Sequence, residues 1–309
     1  MEKIPLVVIA GPTASGKTAL SIALAKKFGG EIVSADSMQI YRYMDIGTAK
    51  PTKEEMAGVP HHLIDFVDPR DSFSVADYVP LAHETIVGIR QRSRQPIVVG
   101  GTGLYLDSLI KDVDFLQDDS DPALRRELFA LAEKEGEAAL FAILQETDPV
   151  SAARIPPQNI RRVVRAIEFY RVTGMTISAH QAQTRQKESR YRPVLLAIRW
   201  DMEILYRRIE QRVDQMVRTG LFGEVETLYR MGCRKEMGAM QGIGYRQVLN
   251  YRRGLAGREE TIRLIKRDSR RYAKRQMTWF RRNPGIVWLD AQGDIIRQAE
   301  EAVCRAFKL

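Results

Sequence analysis

The chain has 309 residues, 44% of them hydrophobic and 28% charged, with a formal net charge of +9. This balance excludes a chain disordered throughout or a collagen-like one, and the length favours one large domain or a domain carrying an insertion. The charge is unevenly placed, since residues 1–110 hold 11 Lys and Arg against 12 Asp and Glu while residues 111–309 hold 37 against 27.

Residues 6–10 form a short apolar run that ends at Gly11 and fits a buried parallel strand. Leu20, Ala23, Leu24 and Phe28 recur at helical spacing, and Gly29 with Gly30 stops that helix. Residues 31–35 read as a second strand, 75–94 as a helix, and 96–99 as a third strand running into the glycine-rich 100–103. Strands alternating with helices predict a parallel α/β sheet. The character changes near Asp112. An acidic stretch at 117–122 precedes a helix over 123–144, another helix spans 160–172, and 178–192 is polar. Strand character returns at 194–198, followed by helices over 203–219 and 222–231 and a glycine-rich joint at 241–244. The two cysteines, Cys233 and Cys304, cannot make a disulfide framework or a four-cysteine zinc site and read as reduced structural thiols. From Arg246 to Arg282 there are 13 Lys and Arg against three acids, with Tyr272, Trp279 and Phe280 among them. This basic rear fits either a polyanion-binding surface or a solvated helix face.

No charge-free stretch exceeds 13 residues, too few to cross a bilayer. With no signal-peptide pattern at the N-terminus, a cytoplasmic protein without a membrane span is expected.

Gly11, Pro12, Thr13, Ala14, Ser15, Gly16, Lys17 and Thr18 match G-x-x-x-x-G-K-[ST] between a predicted strand and a predicted helix. The glycines let the backbone curl so that N–H groups and the helix N-terminus hold a phosphate or diphosphate. Lys17 adds a point charge and Thr18 can ligate Mg²⁺. The predicted fold class is therefore α/β, a P-loop NTPase-like parallel sheet flanked by helices. Its core is expected over 1–112 and 194–309, with an all-helical insertion domain over 113–193.

Nucleotide hydrolysis or phosphoryl transfer would need a second acid at the end of a neighbouring strand to hold the metal. The strand at 96–99 ends in Gly100, Gly101, Thr102 and Gly103, with no acid. The acid at hand is Asp36, after the second strand, and it reads as a metal ligand, a general base or a helix cap. His61 and His62 are adjacent, so their side chains diverge, and no ligand cluster supports a metal there. Arg212 lies inside a helix and faces either the pocket or solvent.

Together these motifs resemble the tRNA dimethylallyltransferases, or tRNA isopentenyltransferases, of bacterial type. The resemblance is carried by 11–18, 34–41, 45–50, 61–65, 100–105, 158–162, 242–246 and 271–276. It implies transfer of a dimethylallyl group from dimethylallyl diphosphate to N6 of the adenosine just 3′ of the anticodon, with the P-loop holding an isoprenoid diphosphate rather than ATP. It implies Asp36 as the base for the N6 proton, and Thr102 as a residue positioning adenine or diphosphate. Lys17, Arg212 and Mg²⁺ on Thr18 would meet charge on the leaving group. It also puts Asp36, Ser37, Met38, Gln39, Thr102, Gln158, Asn159, Ile160, Arg161, Arg162, Gln241, Gly242, Ile243, Gly244, Tyr245 and Arg246 against the tRNA. A monomer without an obligate protein partner is expected. Three rivals stand beside it: a kinase with a helical lid, an RNA-binding ATPase or scaffold, and a prenyltransferase acting on a free adenine nucleotide.

Overall fold

The structure, a computed structural model, describes residues 3–115 and 121–308. The acidic stretch at 117–122 lies outside them up to residue 120. Strand β1 (Ile4–Ala10) is buried over its last five residues, as a strand covered on both faces must be. Helix α1 (Lys17–Phe28) starts at Gly16, whose φ of +95° is left-handed. Strand β2 (Gly30–Ser34) follows, then the short α2 (Lys53–Met56) and the two-residue β3 (His61–His62). Helix α3 (Val75–Gln91) opens on a capping box between Ser74 and Asp77. Strand β4 (Gln95–Gly100) and helix α4 (Gly103–Ile110) complete this half.

The chain forms two compact units, Met1–Ile110 with Arg190–Leu309, and Lys111–Ser189. The second unit is helical, with α5 (Pro122–Glu135), α6 (Glu137–Thr147), α7 (Pro149–Ala152), α8 (Ile160–Thr173) and α9 (Ile177–Gln186). The single helix expected over 123–144 is two, because Gly136 takes φ +89° and serves as C-cap of α5 and N-cap of α6. Helix α9 occupies part of the segment read only as polar. Leu128, Leu140, Leu144, Val163 and Ile167 form this unit's own core.

In the first unit, β5 (Tyr191–Arg199) begins at Tyr191 rather than Val194, because Ile4 of β1 pairs with Tyr191. There follow α10 (Met202–Thr219), α11 (Leu221–Arg230), a 3-10 turn (Gly238–Gln241), α12 (Tyr245–Arg252), α13 (Arg258–Phe280), β6 (Ile286–Asp290) and α14 (Ile295–Phe307). The sheet runs β3-β2-β4-β1-β5-β6, every pair parallel. This is the expected α/β architecture of a parallel sheet flanked by helices.

Two cores organise this unit. Val7, Ile9, Ile97, Leu196 and Ile198 of the sheet pack against Leu24 of α1 and Val303 of α14. Each such side chain contributes about 1.5–3 kcal/mol on full burial. The second core joins Ile40, Tyr41 and Met44, beyond the end of β2, to Val213, Val225, Tyr245, Val248 and Ile265 of α10 to α13. It fixes the segment after β2 against the C-terminal helices, and the site is built there.

Candidate active site

The P-loop leaves β1 and delivers its chain into the first turn of α1. Lys17 donates from Nζ to the Pro12 carbonyl at 2.6 Å, which folds the lysine back over its own loop. Burial and the neighbouring Arg212 pull its ammonium down to about 7, with the Asp36 charge opposing them. Arg212 reaches in from α10, donating to Thr13 Oγ1 at 3.1 Å and to the Thr48 carbonyl at 3.4 Å. Burial pushes its guanidinium below the usual arginine value as well. From the other side of the loop, Arg208 donates to the Ala14 carbonyl and Trp200 to the Ser15 carbonyl, both at 2.9 Å. The guanidinium of Arg208 lies 4.5 Å from the Trp200 ring centre. Two half-buried cations beside one loop are costly unless an anion joins them.

Asp36 stands at the carboxyl end of β2. Its Oδ1 accepts the N–H groups of Met38 at 2.9 Å and Gln39 at 3.3 Å, the local bond of an Asx turn. Thr102, at the start of α4, accepts the Ser37 N–H at 3.2 Å and donates to Ser37 Oγ at 3.3 Å. Its hydroxyl thus braces the turn that carries Asp36. Gln39 donates to the carbonyls of Thr48 and Ala49. Glu224 of α11 accepts three successive N–H groups, those of Asp45, Ile46 and Gly47, and the Tyr245 hydroxyl at 2.7 Å.

These pieces enclose one cavity of about 410 Å³. Thr13, Lys17, Thr18 and Arg212 form one part of its lining, and Asp36, Ser37, Met38 and Gln39 another. Gln241, Gly242, Ile243, Gly244 and Arg246 contribute a third part, and Ser269, Tyr272, Arg275 and Gln276 of α13 a fourth. A second cavity of about 370 Å³, lined by Ala14 to Thr18 with Arg208, Gln211 and Arg212, shares Lys17, Thr18 and Arg212 with the first. The Thr18 hydroxyl is a hard oxygen donor in this lining. Such a donor would fit as one ligand of Mg²⁺. Among the described residues no group of three or more His, Cys, Asp or Glu could hold a metal. His61 and His62 have separate partners, the Val59 carbonyl and the Glu31 carboxylate.

Residues 39–283 match the IPP transferase family, and residues 4–68 match the isopentenyl transferase family. The tRNA dimethylallyltransferase of Lachnoclostridium phytofermentans is 48% identical over 92% of this chain and 91% of its own. The crystal structure of a tRNA isopentenylpyrophosphate transferase from Bacillus halodurans aligns at a TM-score of 0.74 and 44% identity, covering 99% of each chain. A eukaryotic dimethylallyltransferase, described as acting on tRNA, aligns at 0.81 and 31% identity, covering 93% of this chain and 74% of its own. The chain belongs to the IPP transferase family.

Within this family member, the expected site residues fall into three groups. Lys17, Thr18, Arg212, Asp36 to Gln39, Gln241 to Gly244 and Arg246 line the main cavity, although Arg246 is also held by Asp268 at 2.9 Å. Tyr245 is buried, and its hydroxyl is taken by Glu224. Gln158, Asn159, Ile160, Arg161 and Arg162 lie at the N-terminus of α8 in the helical unit, with Gln158, Arg161 and Arg162 exposed.

Sequence reasoning missed the α13 face. Tyr272 and Gln276, one turn apart, face the site from within a segment read as a basic surface. An uncharged pair spaced four apart in a run of cations was the available signal. Burial, with help from the Asp36 charge, pushes the Tyr272 phenol up to about 12, so it stays a neutral donor. Part of the basic run is also spent internally, with Lys266 paired to Asp214 and Arg270 to Glu210.

Proposed function

We propose that this chain transfers a dimethylallyl group from dimethylallyl diphosphate to N6 of the adenosine immediately 3′ of the anticodon in tRNA, releasing pyrophosphate. The observation that carries the reading is one cavity lined by Lys17 and Arg212 of the diphosphate site and by Asp36. A diphosphate held by Gly11 to Thr18 brings its allylic carbon within reach of a base presented beside Asp36.

The N6 lone pair attacks C1 of the donor, the C1–O bond breaks, and its electron pair leaves on the pyrophosphate. The N6 proton passes to Asp36, whose Oδ1 is held by the Met38 and Gln39 amides. Lys17 and Arg212 meet the charge that grows on the leaving oxygens, an effect strengthened by their burial. The diphosphate restores to Lys17 the proton that burial disfavours. Mg²⁺ held through Thr18 would supply further neutralisation of the diphosphate. The acceptor base leaves its stack to enter the cavity, at low cost because the anticodon loop is single-stranded. Asp36 to Gln39, Gln241 to Gly244 and Arg246 surround that base, with Thr102 bracing Ser37 behind them. The helices α5 to α9 and the exposed Arg271, Lys274, Arg281 and Arg282 hold the anticodon stem by its phosphates. The protein works as a cytoplasmic monomer; among the described residues no helix is long and apolar enough to cross a membrane.

The test incubates the protein with Mg²⁺, labelled dimethylallyl diphosphate and an unmodified tRNA whose anticodon is followed by adenosines. Parallel reactions offer AMP and ATP. Label in tRNA is expected. Label in AMP alone would overturn the acceptor, and ATP turnover without prenyl transfer would return the loop to nucleotide chemistry.

A further inference from the structure

We infer that Gln276 is a positioning residue for the transfer, holding the diphosphate loop and the acceptor-side loop at a fixed separation. The inference rests on the transferase reading above. Gln276 is 7% exposed and lies 263 residues from Thr13 in sequence. Its Oε1 accepts the Thr13 N–H at 3.1 Å, and its Nε2 donates to the Gly101 carbonyl at 2.8 Å. One amide thus joins the loop after β1 to the loop after β4. Tyr272, one helical turn earlier, lines the same cavity as Gln276. Thr102 in turn braces the Asp36 turn. The loop holding Gly101 and Thr102 is therefore tied to the diphosphate loop by Gln276 and to the turn that carries Asp36 by Thr102.

The chemistry requires an amide here. The loop after β1 presents a donor and the loop after β4 an acceptor, so the bridging group must accept at one atom and donate at its neighbour. The packing is close enough that a side chain on the facing residue would move the amide: a Cβ on Gly101 would sit 2.4 Å from Gln276 Nε2. The parallel strands set the spacing of β1 and β4 at their hydrogen-bonded residues, but not at the loop tips beyond Ala10 and Gly100. Gln276 sets it there. Nucleophile and allylic carbon must approach to about 3–3.5 Å in line, and a misplacement of about 1 Å costs on the order of 100-fold in rate.

The test compares wild type, Gln276→Met and Gln276→Glu as full-length proteins with dimethylallyl diphosphate, Mg²⁺ and an unmodified anticodon stem-loop. Gln276→Met is expected to lower kcat about 100-fold, while donor KM and stem-loop Kd stay close to wild type and the melting temperature falls because the Thr13 N–H and Gly101 carbonyl lose their partner. Gln276→Glu carries a carboxylate that cannot donate to Gly101, so at about pH 8 it should be as slow as Gln276→Met. A buried carboxyl has a raised pKa. Lowering the pH towards about 6 should therefore restore an O–H donor and an accepting carbonyl, and the ratio of Gln276→Glu to wild-type kcat should rise. The same ratio for Gln276→Met should stay flat. Loss of packing alone would not give this difference in pH profile. If a Gln276 variant fails to fold, Gly101→Ala, which pushes on Nε2 from the opposite loop, should give the same kcat-selective loss. Near-wild-type kcat for Gln276→Met, a flat Gln276→Glu ratio, or a loss confined to RNA affinity would overturn the inference. Absence of transfer by the wild type would instead overturn the transferase reading.

Discussion

Two stretches of backbone gather N–H groups, and they are used in opposite ways. At residues 45–47 three successive N–H groups close on the Glu224 carboxylate at 2.6–2.9 Å. At the start of α1, the first-turn N–H groups that no helix can satisfy internally belong to the lining of a cavity with Lys17, Arg208 and Arg212. The first is a fastener: a tethered anion holds a loop that carries Thr48, whose carbonyl receives Arg212 and Gln39. The second, on the proposed reading, is a receptacle, where the half-buried Lys17 and Arg212 would receive a free anion. The same dipole physics gives rigidity when the carboxylate is built in and chemistry when the anion comes and goes.

Asp36 combines both uses, and breaking it should have the largest effect. Asp36→Asn keeps an oxygen for the Met38 and Gln39 N–H groups but cannot take the N6 proton. Single-turnover transfer should fall by about 10²–10⁴, with stem-loop affinity unchanged. An Asn variant as active as wild type would leave Asp36 a fastener only.

Next comes the receptacle. Lys17→Met should lower transfer by about 10²–10³ through lost charge stabilisation. Lys17 near 7 also gives a signed pH effect. The bound diphosphate favours the protonated amine, so binding draws a proton onto Lys17 above about pH 7. Inorganic diphosphate affinity should therefore decline as pH rises through 7 more steeply in wild type than in Lys17→Arg, whose guanidinium stays charged. Titration calorimetry in buffers of different ionisation enthalpy would read the proton uptake directly.

The fastener should show in stability before activity. Glu224→Ala removes the acceptor of one exposed and two part-buried N–H groups and of the Tyr245 hydroxyl, and should destabilise the fold by about 1–3 kcal/mol in urea unfolding. Glu224→Gln, which retains an acceptor, should cost less. The smallest effect belongs to Arg161→Ser on α8. It should weaken stem-loop binding a few-fold and reduce the salt slope of affinity by about one, leaving kcat at saturation intact.

The P-loop, β1, β2, β4 and most helices were legible because each is written in neighbouring residues: an apolar run, a 3.6-residue period, a glycine stop. Asp36 stood out as the acid lacking a local explanation. The two-residue β3, β6 and the earlier start of β5 were not legible, because parallel pairing partners lie far along the chain. Gly136 was visible, but the helix period on either side of it masked the break. The spacing of Tyr272 and Gln276 hinted at an inward face of α13, but the roles of Gln276 and Glu224 were beyond reach for the same reason. Their partners are 175 to 263 residues away, and neither residue type announces a role by itself.

The sequence distance spanned by Gln276 has a consequence for synthesis of the chain. The P-loop leaves the ribosome early, and its bridge to α13 forms only after some 263 further residues. At roughly 5–20 residues per second, that interval is on the order of 13–50 s. For the first part of it, the strand carrying the P-loop also lacks its neighbour β4, and for longer its neighbour β5. A nascent or prematurely ended chain thus carries the most recognisable motif of the protein without the geometry that would make it work. Competence arrives late and all at once, when the last long helix docks.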